Sequence, residues 1–464
     1  MACLIAAPSS GSGKTLLSLC LAAVLRERGE ALQPFKVGPD YLDPQLLGAV
    51  AGTPCRNLDP VLCGEAWVRS CFAWHGSRAQ RVLVEGVMGL FDGVGPGSEG
   101  SSAAVAALLG LPVVLVVEAS RQAGSLAAVV RGFRDHGPPR VQLAGVVLNR
   151  VASPRHRDLL AEALASIEVP LLGVLPPHPS LELPSRHLGL FPAHEVSDLG
   201  ERGRAMASLA RRHLDLHRLL PLLEPPALSG SAHDPLPALL GPPPAGAPLP
   251  VAVASDAAFH FRYPEMGELL AAVKLDPIPW SPVANEPLPA GTRAVLLPGG
   301  YPELWAEQLA AADRSLADLR RAASAGVPIV AECGGLLLLG RGLADPGGRM
   351  HPMAGLLPFE ARSARLSLGY RHLTARRDGM LVRAGEVMRG HEFHRWQLEA
   401  VPPDSRWAAA GLWQLEGWGI PRSEEGWSAA NLHASWIHLH WAGCPRIPRR
   451  LAAAVAKAAP KDGS

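Results

Sequence analysis

Residues 4–15 read Leu-Ile-Ala-Ala-Pro-Ser-Ser-Gly-Ser-Gly-Lys-Thr, an apolar run followed by small residues and the start of an amphipathic stretch. The apolar run predicts a buried strand, and the stretch after Lys14 predicts a helix. In such a loop backbone N–H groups can surround phosphate oxygens, and the helix N-terminus adds partial positive charge. Lys14 is expected to reach the outer phosphates and Thr15 to ligate Mg²⁺.

One position departs from the usual phosphate-loop pattern, because Pro8 stands where glycine is expected. The alternative is a Gly/Ser-rich turn that carries Lys-Thr by coincidence. The strand before the loop and the helix after it favour phosphate binding. The residues predicted to bind ATP are Gly11, Ser12, Gly13, Lys14, Thr15 and Lys36.

Short apolar runs alternate with helical patterns on both sides of a proline-rich stretch. The first half has apolar runs at residues 4–7, 32–37, 82–84, 113–117, 141–148 and 171–174, with helical patterns at 16–28 and 155–167. Further runs lie at residues 251–254, 293–297 and 328–331. Buried strands separated by helices predict parallel sheets covered on both faces. The sequence thus predicts two α/β domains, residues 1–220 and 251–464, joined by an extended linker at 221–250 that holds ten prolines.

Composition narrows the class of protein. Of 464 residues, 48% are hydrophobic and 44 basic residues nearly balance 42 acidic ones, so neither a nucleic-acid nor a membrane partner is expected. The seven cysteines form no CxxC pair, a pattern typical of reduced intracellular thiols. The start has no charged segment before its apolar residues, so no secretory signal is expected. These features predict a cytoplasmic protein.

Acidic residues follow two predicted strands near the phosphate loop. Asp40 and Asp43 come after the strand that contains Lys36, and Glu85 and Asp92 come after the next one. For any one of these acids alone, a helix cap or a turn residue is the better interpretation. Ligands bind at the carboxyl ends of parallel strands, so the set favours a site for hydrated Mg²⁺. Asn149-Arg150 end a later strand and are candidates to meet the nucleotide base.

A second motif lies in the other half. Residues 327–337 predict a strand, a sharp turn and a helix with Cys333 at the turn. Two glycines after the cysteine allow a strained turn and expose a backbone N–H, as in a nucleophile elbow. Gly299-Gly300 end an earlier strand, so Gly300 and Gly334 are predicted oxyanion donors. A thiol nucleophile needs a base, and the candidates are His391, His394, His438 and His440.

With both halves in view, the chain closely resembles the cobyrinic acid a,c-diamide synthase family. The resemblance covers nearly the whole chain and rests on ordered motifs at residues 7–15, 36–44, 57–60, 85–93, 297–303, 332–335, 390–394 and 438–441.

The resemblance implies a dethiobiotin-synthetase-like N-terminal domain and a class I-like glutamine amidotransferase domain. It implies that glutamine supplies ammonia, and that ATP activates the a- and c-acetates of a corrinoid as acyl phosphates. The family's nucleophile falls on Cys333, its base on His438 and its loop lysine on Lys14. Its functional acids fall on Asp40, Asp43, Glu85 and Asp92, with Tyr41 and Leu42 where the corrinoid is sensed. A monomer or homodimer is expected.

Some positions depart from the family pattern. His260, Arg262 and Met266 replace the usual Asn, Tyr and Asn, and Val61 stands where tryptophan is common. Most class I amidotransferases place Glu two residues beyond the catalytic histidine, but this chain has His440 there. The third member of the triad is therefore missing or comes from elsewhere.

Three other functions stay open at this stage. The same chemistry could act on hydrogenobyrinate or on nickel sirohydrochlorin. A regulatory phosphate-loop ATPase with a non-catalytic amidotransferase module is the alternative of another class, against which the presence of both Cys333 and His438 argues.

Overall fold

The computed structural model describes residues 2–178, 185–186, 189–190, 195, 198–226, 232–400 and 410–458. The chain divides into two compact units, Met1–Pro235 and Leu236–Ser464, so the division falls inside the proline-rich stretch. The described part of that stretch is not uniformly extended, because it contains a 3₁₀ helix, Leu220–Leu223, and a short helix, Pro235–Leu240. Prolines are tolerated there because N–H groups in the first turn of a helix have no acceptor within the helix, so a proline without an N–H loses no hydrogen bond.

The first unit is built on a seven-stranded parallel sheet. Its strands are β1 (Cys3–Ala6), β2 (Leu32–Val37), β3 (Arg56–Leu58), β4 (Arg81–Glu85), β5 (Val113–Glu118), β6 (Leu143–Asn149) and β7 (Leu171–Leu175). Its helices are α1 (Lys14–Glu27), α2 (Leu42–Ala51), α3 (Pro60–Cys63), α4 (Glu65–Gly76), α5 (Ser102–Leu109), α6 (Ser125–Asp135), α7 (Pro154–Ala165), α8 (Leu199–His213) and α9 (Leu216–Leu219). Two strands of two residues each, β8 (Ser185–Arg186) and β9 (Gly189–Leu190), form a separate antiparallel sheet.

The strand order is β3-β2-β4-β1-β5-β6-β7. All neighbours are parallel, as the apolar runs predict. β1 lies between β4 and β5, so its carboxyl end and the loop after it sit at the middle of one sheet edge. The sequence missed β3, because two of its three residues, Arg56 and Asn57, are polar.

The second unit combines a parallel half-sheet with antiparallel hairpins. Its strands are β10 (Leu249–Ala254), β11 (Phe259–Phe261), β12 (Leu275–Trp280), β13 (Ala294–Leu297), β14 (Gly299–Gly300), β15 (Ile329–Glu332), β16 (Gly342–Ala344), β17 (Met350–Pro352), β18 (Phe359–Ala375), β19 (Val387–Ala400), β20 (Ala410–Gly417), β21 (Ile420–Ala429) and β22 (Leu432–Ser435). Its helices are α10 (Pro235–Leu240), α11 (Pro264–Ala272), α12 (Ala306–Ala310), α13 (Asp313–Ser324), α14 (Gly334–Leu339) and α15 (Arg446–Ala458), with a 3₁₀ helix at Pro302–Trp305.

Strands β12-β10-β13-β15-β22 are parallel, and β21, β20, β18 and β19 continue as antiparallel neighbours. This pairing explains why the rhythm of alternating strands and helices is lost after residue 340. In the described part of the chain, no helix combines the length and apolar character needed to cross a bilayer.

Candidate active sites

The phosphate loop connects β1 to α1 and depends on two glycines in the left-handed region, Gly11 (φ 79°) and Gly13 (φ 110°). A Cβ on Gly13 would lie 2.3 Å from the side-chain nitrogen of Asn149. The Asn149 amide donates to the Ser12 carbonyl at 3.0 Å. Asn149, predicted as a contact for the nucleotide base, therefore supports the loop from the end of β6.

Lys14 is buried against backbone carbonyls. Its Nζ donates to the carbonyl oxygen of Met88 at 2.6 Å and to that of Ser9 at 3.4 Å. Burial, together with the charge of Lys36, lowers the pKa of Lys14 to about 8. The ammonium thus already lies at the phosphate loop, where an anion would replace these carbonyl contacts.

Thr15 and Glu85 meet as the sequence predicts. The Thr15 hydroxyl donates to Glu85 Oε1 at 2.8 Å, and burial raises the pKa of Glu85 above its usual value. The other carboxylate oxygen of Glu85 is buried and has no hydrogen-bond partner among the described residues. Mg²⁺ in nucleotide sites takes one or two protein oxygens and completes its shell with phosphates and water. This hydroxyl–carboxylate pair fits such an ion.

Asp40 and Asp43, also predicted as metal ligands, lie around a cation that the chain itself supplies. Lys36 Nζ lies 3.1 Å from Asp43, 3.4 Å from Glu85 and 3.7 Å from Asp40, and it donates to the Gly86 carbonyl. Burial lowers the pKa of Lys36, but the three carboxylates have the larger effect, so the pKa of Lys36 lies above its normal value. Burial raises the pKa of Asp43, but the charge of Lys36 opposes this and holds the pKa of Asp43 below its normal value.

Burial and the neighbouring Asp43 raise the pKa of Asp40 to about 7. Among the described residues no three His, Cys, Asp or Glu side chains are arranged to hold a metal ion. Lys36 instead occupies the position between Asp40 and Asp43, and a metal role for these two acids stays a prediction.

The remaining predicted residues have local partners. Asp40 Oδ1 accepts from the backbone N–H groups of Leu42 and Asp43 at the start of α2, and Asp92 Oδ2 accepts from Gly89 N–H at 2.7 Å. The side chains of Tyr41 and Leu42 are buried. Their proposed contact with substrate therefore stays a prediction.

In the second unit, Cys333 joins β15 to α14 with φ 49° and ψ −112°. This backbone conformation is strained for a residue with a side chain and is typical of functional turns. The Cys333 N–H donates to the Ser435 carbonyl at 2.8 Å, which ties the turn to β22. The strand, sharp turn and helix that the sequence predicts around Cys333 are formed, and the role of Cys333 as nucleophile stays a prediction.

The two predicted oxyanion donors come together at this elbow. A Cβ on Gly334 would lie 2.9 Å from the backbone nitrogen of Gly300, so nothing larger than glycine fits between the two segments. Gly300 belongs to β14, which pairs with β11 through Phe259. His260, one of the positions that depart from the family pattern, therefore lies in the strand that pairs with Gly299-Gly300.

His438 is fully buried. It lies beside the same glycine segment, since a Cβ on Gly299 would lie 2.5 Å from its Cε1. Burial and the nearby His391 and His394 lower the pKa of His438 to about 3, so its imidazole is neutral at rest. Burial also raises the pKa of the Cys333 thiol. At rest Cys333 is therefore a thiol and His438 a neutral imidazole, and the role of His438 as the base of Cys333 stays a prediction.

Both halves match known families at the positions of these sites. Residues 3–191 match the CobQ/CobB/MinD/ParA nucleotide binding domain, and residues 250–445 match the CobB/CobQ-like glutamine amidotransferase domain. A protein of Gloeobacter violaceus named cobyrinate a,c-diamide synthase is 45% identical, over 95% of this chain and 94% of that protein. This chain belongs to the cobyrinate a,c-diamide synthase family.

Other relatives carry two names. A cobyrinate a,c-diamide synthase of Synechococcus is 41% identical over 96% of both chains. A hydrogenobyrinate a,c-diamide synthase of Streptomyces coelicolor is 43% identical, again over 96% of both chains. These matches therefore extend over both units of this chain.

The structure places two acids beside the candidate histidines that the sequence analysis did not select as site residues. Glu332 Oε2 lies 4.0 Å from His438 Nδ1, and Glu332 accepts hydrogen bonds from Trp441 and Leu439. His440, which replaces the usual triad glutamate, lies 3.8 Å from the buried Glu265. Glu332 directly precedes the nucleophile, a position that a search for acids at strand ends would have included.

Proposed function

We propose that this chain amidates the a- and c-acetate carboxylates of cobyrinate, using ATP and ammonia taken from glutamine. The observation that carries the proposal is the presence of two reaction centres in one chain of this family. One is the phosphate loop with Lys14 and the Thr15–Glu85 pair, and the other is the Cys333 elbow beside His438. A carboxylate does not react with ammonia until it is activated, so both centres are needed.

The amidotransferase centre would release ammonia by nucleophilic catalysis. Cys333 transfers its proton to His438 and attacks the side-chain amide carbon of glutamine, and N–H groups of Gly300 and Gly334 stabilise the oxyanion. His438 returns the proton to the leaving nitrogen, which departs as ammonia. Water then hydrolyses the thioester to glutamate and restores the thiol. Glu332 is positioned to hold the segment that carries His438.

The synthetase centre would activate the substrate. A carboxylate oxygen of the corrinoid attacks the γ-phosphorus of ATP, which gives an acyl phosphate and ADP, and ammonia then displaces phosphate from the acyl carbon. Lys14 neutralises charge on the phosphates during the transfer. Thr15 and Glu85 would hold Mg²⁺, which supplies further charge neutralisation when bound. Asp92, Tyr41 and Leu42 are the candidates for contact with the corrinoid.

A side-by-side assay tests the proposal. Cobyrinate, hydrogenobyrinate and nickel sirohydrochlorin are each incubated with the protein, ATP, Mg²⁺ and glutamine, and products are measured by mass spectrometry together with glutamate and ADP. We expect a diamide from cobyrinate. A diamide from hydrogenobyrinate alone would move the assignment to the metal-free ring, which relatives of similar identity are named for. ATP hydrolysis without amidation of any of the three would instead favour a regulatory ATPase.

A further inference from the structure

Three buried charges lie next to the elbow, and the proposed reaction uses none of them. Glu392 accepts from Arg371 Nε at 2.6 Å through one oxygen and faces His394 Nε2 at 2.8 Å through the other. All three side chains are about nine-tenths buried or more. One carboxylate is thus shared between two potential cations, and we call this set the Arg371–Glu392–His394 cluster.

Hydrogen-bond geometry determines the protonation of His394. Its Nδ1 lies 2.7 Å from the carbonyl oxygen of Trp396, which can only accept, so Nδ1 carries a proton. Its Nε2 faces Glu392. The guanidinium of Arg371 is always charged and donates to the other oxygen of Glu392 at 2.6 Å, so this carboxylate is ionised. An ionised carboxylate also only accepts, so both ring nitrogens carry protons and the ring is an imidazolium.

The surroundings of the ring suit a cation. The indole of Trp436 stacks on His394 with ring centroids 3.9 Å apart and planes inclined by 10°. The negative face of an indole attracts a cation placed over it. The Trp436 backbone N–H is itself fixed by a hydrogen bond to Glu425 at 2.6 Å. With two cations and one carboxylate, the cluster carries a net charge of about +1.

Backbone carbonyls that adjoin the cluster contact Cys333 from two sides. The Cys333 thiol donates a hydrogen bond to the carbonyl oxygen of Phe393 at 3.5 Å, and Phe393 lies between Glu392 and His394 in the chain. The Cys333 N–H bonds to Ser435, the residue before Trp436. Burial raises the pKa of Cys333, and the carboxylates of Glu303, Glu332 and Glu392 raise it further. A thiolate at this position therefore needs compensating positive charge.

We propose that His394 is a positioning residue of the glutaminase reaction, held as an imidazolium so that the Arg371–Glu392–His394 cluster is net positive where Cys333 becomes a thiolate. The inference rests on the proposed role of Cys333 as nucleophile. The same contacts hold the strand segment whose Phe393 carbonyl receives the thiol. His394 thus acts on the reaction through Cys333 and is not itself the base.

The test is the pH profile of Cys333 alkylation by iodoacetamide in the full chain. The Cys333 peptide is followed by mass spectrometry, which separates it from the other six cysteines. His394→Gln removes the charge, and we expect the midpoint of alkylation to rise by about one pH unit, with a roughly tenfold slower reaction at neutral pH. His394→Arg keeps the charge and the donors and is expected to restore most of the rate.

The matched control is His351→Gln. His351 is another buried histidine of the same unit that faces a carboxylate, Asp345, at 2.9 Å, and its loss should leave the Cys333 profile unchanged. Arg371→Met removes the other cation and should shift the midpoint in the same direction, which keeps the test available if His394→Gln does not fold. Thermal melting identifies the folded variants.

An unchanged midpoint in a folded His394→Gln or Arg371→Met variant would overturn the proposal, and so would equal losses in the Gln and Arg variants of His394. Failure of the proposed function is seen separately, as glutamine-dependent amidation that survives Cys333→Ala.

Discussion

Among the described residues, the ammonium group of Lys14 donates two hydrogen bonds, both to backbone carbonyl oxygens. No other side chain of the loop can neutralise the phosphates, so Lys14→Ala should lower amidation by at least about a hundredfold. The loss should be the same with glutamine and with ammonium chloride, because both routes need the activated carboxylate. Lys457→Ala, at an exposed lysine of α15, is the control. Substantial ammonium-dependent product from Lys14→Ala would remove the loop from the mechanism.

Glu85 and Asp43 were predicted to have the same role, but the structure gives them different partners. Lys36 lies near both carboxylates, but of the two only Glu85 accepts from the Thr15 hydroxyl and, among the described residues, has one oxygen without a hydrogen-bond partner. Glu85→Gln should therefore raise the Mg²⁺ concentration for half-maximal activity by roughly tenfold or more. Asp43→Asn should lower the rate and leave that concentration unchanged. The measurement is activity as a function of Mg²⁺ concentration. An equal increase of the half-maximal concentration in both variants would support Asp43 as a metal ligand.

Glu332 makes stability depend on pH. Burial raises its pKa to about 8, although hydrogen bonds from Trp441 and Leu439 oppose the shift. A carboxyl whose folded pKa exceeds its unfolded value stabilises the fold at low pH, and this contribution is lost as pH rises toward the folded pKa. Glu332→Gln keeps an acceptor and no charge, so its melting temperature should exceed that of the wild type above pH 8 (about the folded pKa). At acidic pH the two should agree, and a constant difference at all pH values would contradict the cause.

At the level of elements, the elbow works because α14 packs its first turn against β13. A Cβ on Gly335 would lie 1.9 Å from the Leu297 carbonyl oxygen, and a Cβ on Gly334 would reach Gly300. The glycines are therefore required by close approach of two backbones. Any side chain there must displace either the helix that follows Cys333 or the segment that contains Gly300.

Gly335→Ala should destabilise the second unit by about 1–3 kcal/mol and lower glutamine-dependent amidation, since the inserted methyl group overpacks the elbow. Gly267→Ala in α11 is the matched control, because a Cβ there meets nothing within 4 Å. It should stabilise the protein by about 0.5–1 kcal/mol, the usual cost of glycine inside a helix. Chemical denaturation measures the free energy of unfolding of both variants. An unchanged free energy in Gly335→Ala would show that the elbow can relax around the added methyl group.

Over the whole molecule, two compact units have separate cores. One cluster of buried residues centres on α1 and the first sheet, and the other on β15, α14 and the second sheet. Cys333→Ala removes one sulfur from the second core and changes nothing in the first. Glutamine-dependent amidation should vanish, while amidation from ammonium chloride at alkaline pH should stay close to that of the wild type.

The comparison of nitrogen donors separates the two centres. His438→Ala should show the same pattern less severely, because a thiol keeps a small thiolate fraction without its base. If Cys333→Ala loses both activities, the centres do not act independently. If it keeps both, Cys333 is not the nucleophile.

The sequence alone was enough for the two local motifs and for the fold class. Strand, small-residue loop and helix are adjacent in the chain at both Lys14 and Cys333, so each motif is visible in a dozen residues. The parallel sheet of the first unit followed from continuous apolar runs, since strands buried on both faces show no polar alternation. The family match agrees with both motifs.

Only the tertiary structure decided which residues distant in sequence meet. The short β3, the long antiparallel pair β18 and β19, and the placement of Lys36 among three carboxylates all depend on such contacts. The four candidate histidines look alike in sequence. Packing distinguishes them, because His438 lies against Gly299 while His394 is held between Glu392 and Trp396. Burial and neighbouring charge determine protonation, and both are properties of the folded chain.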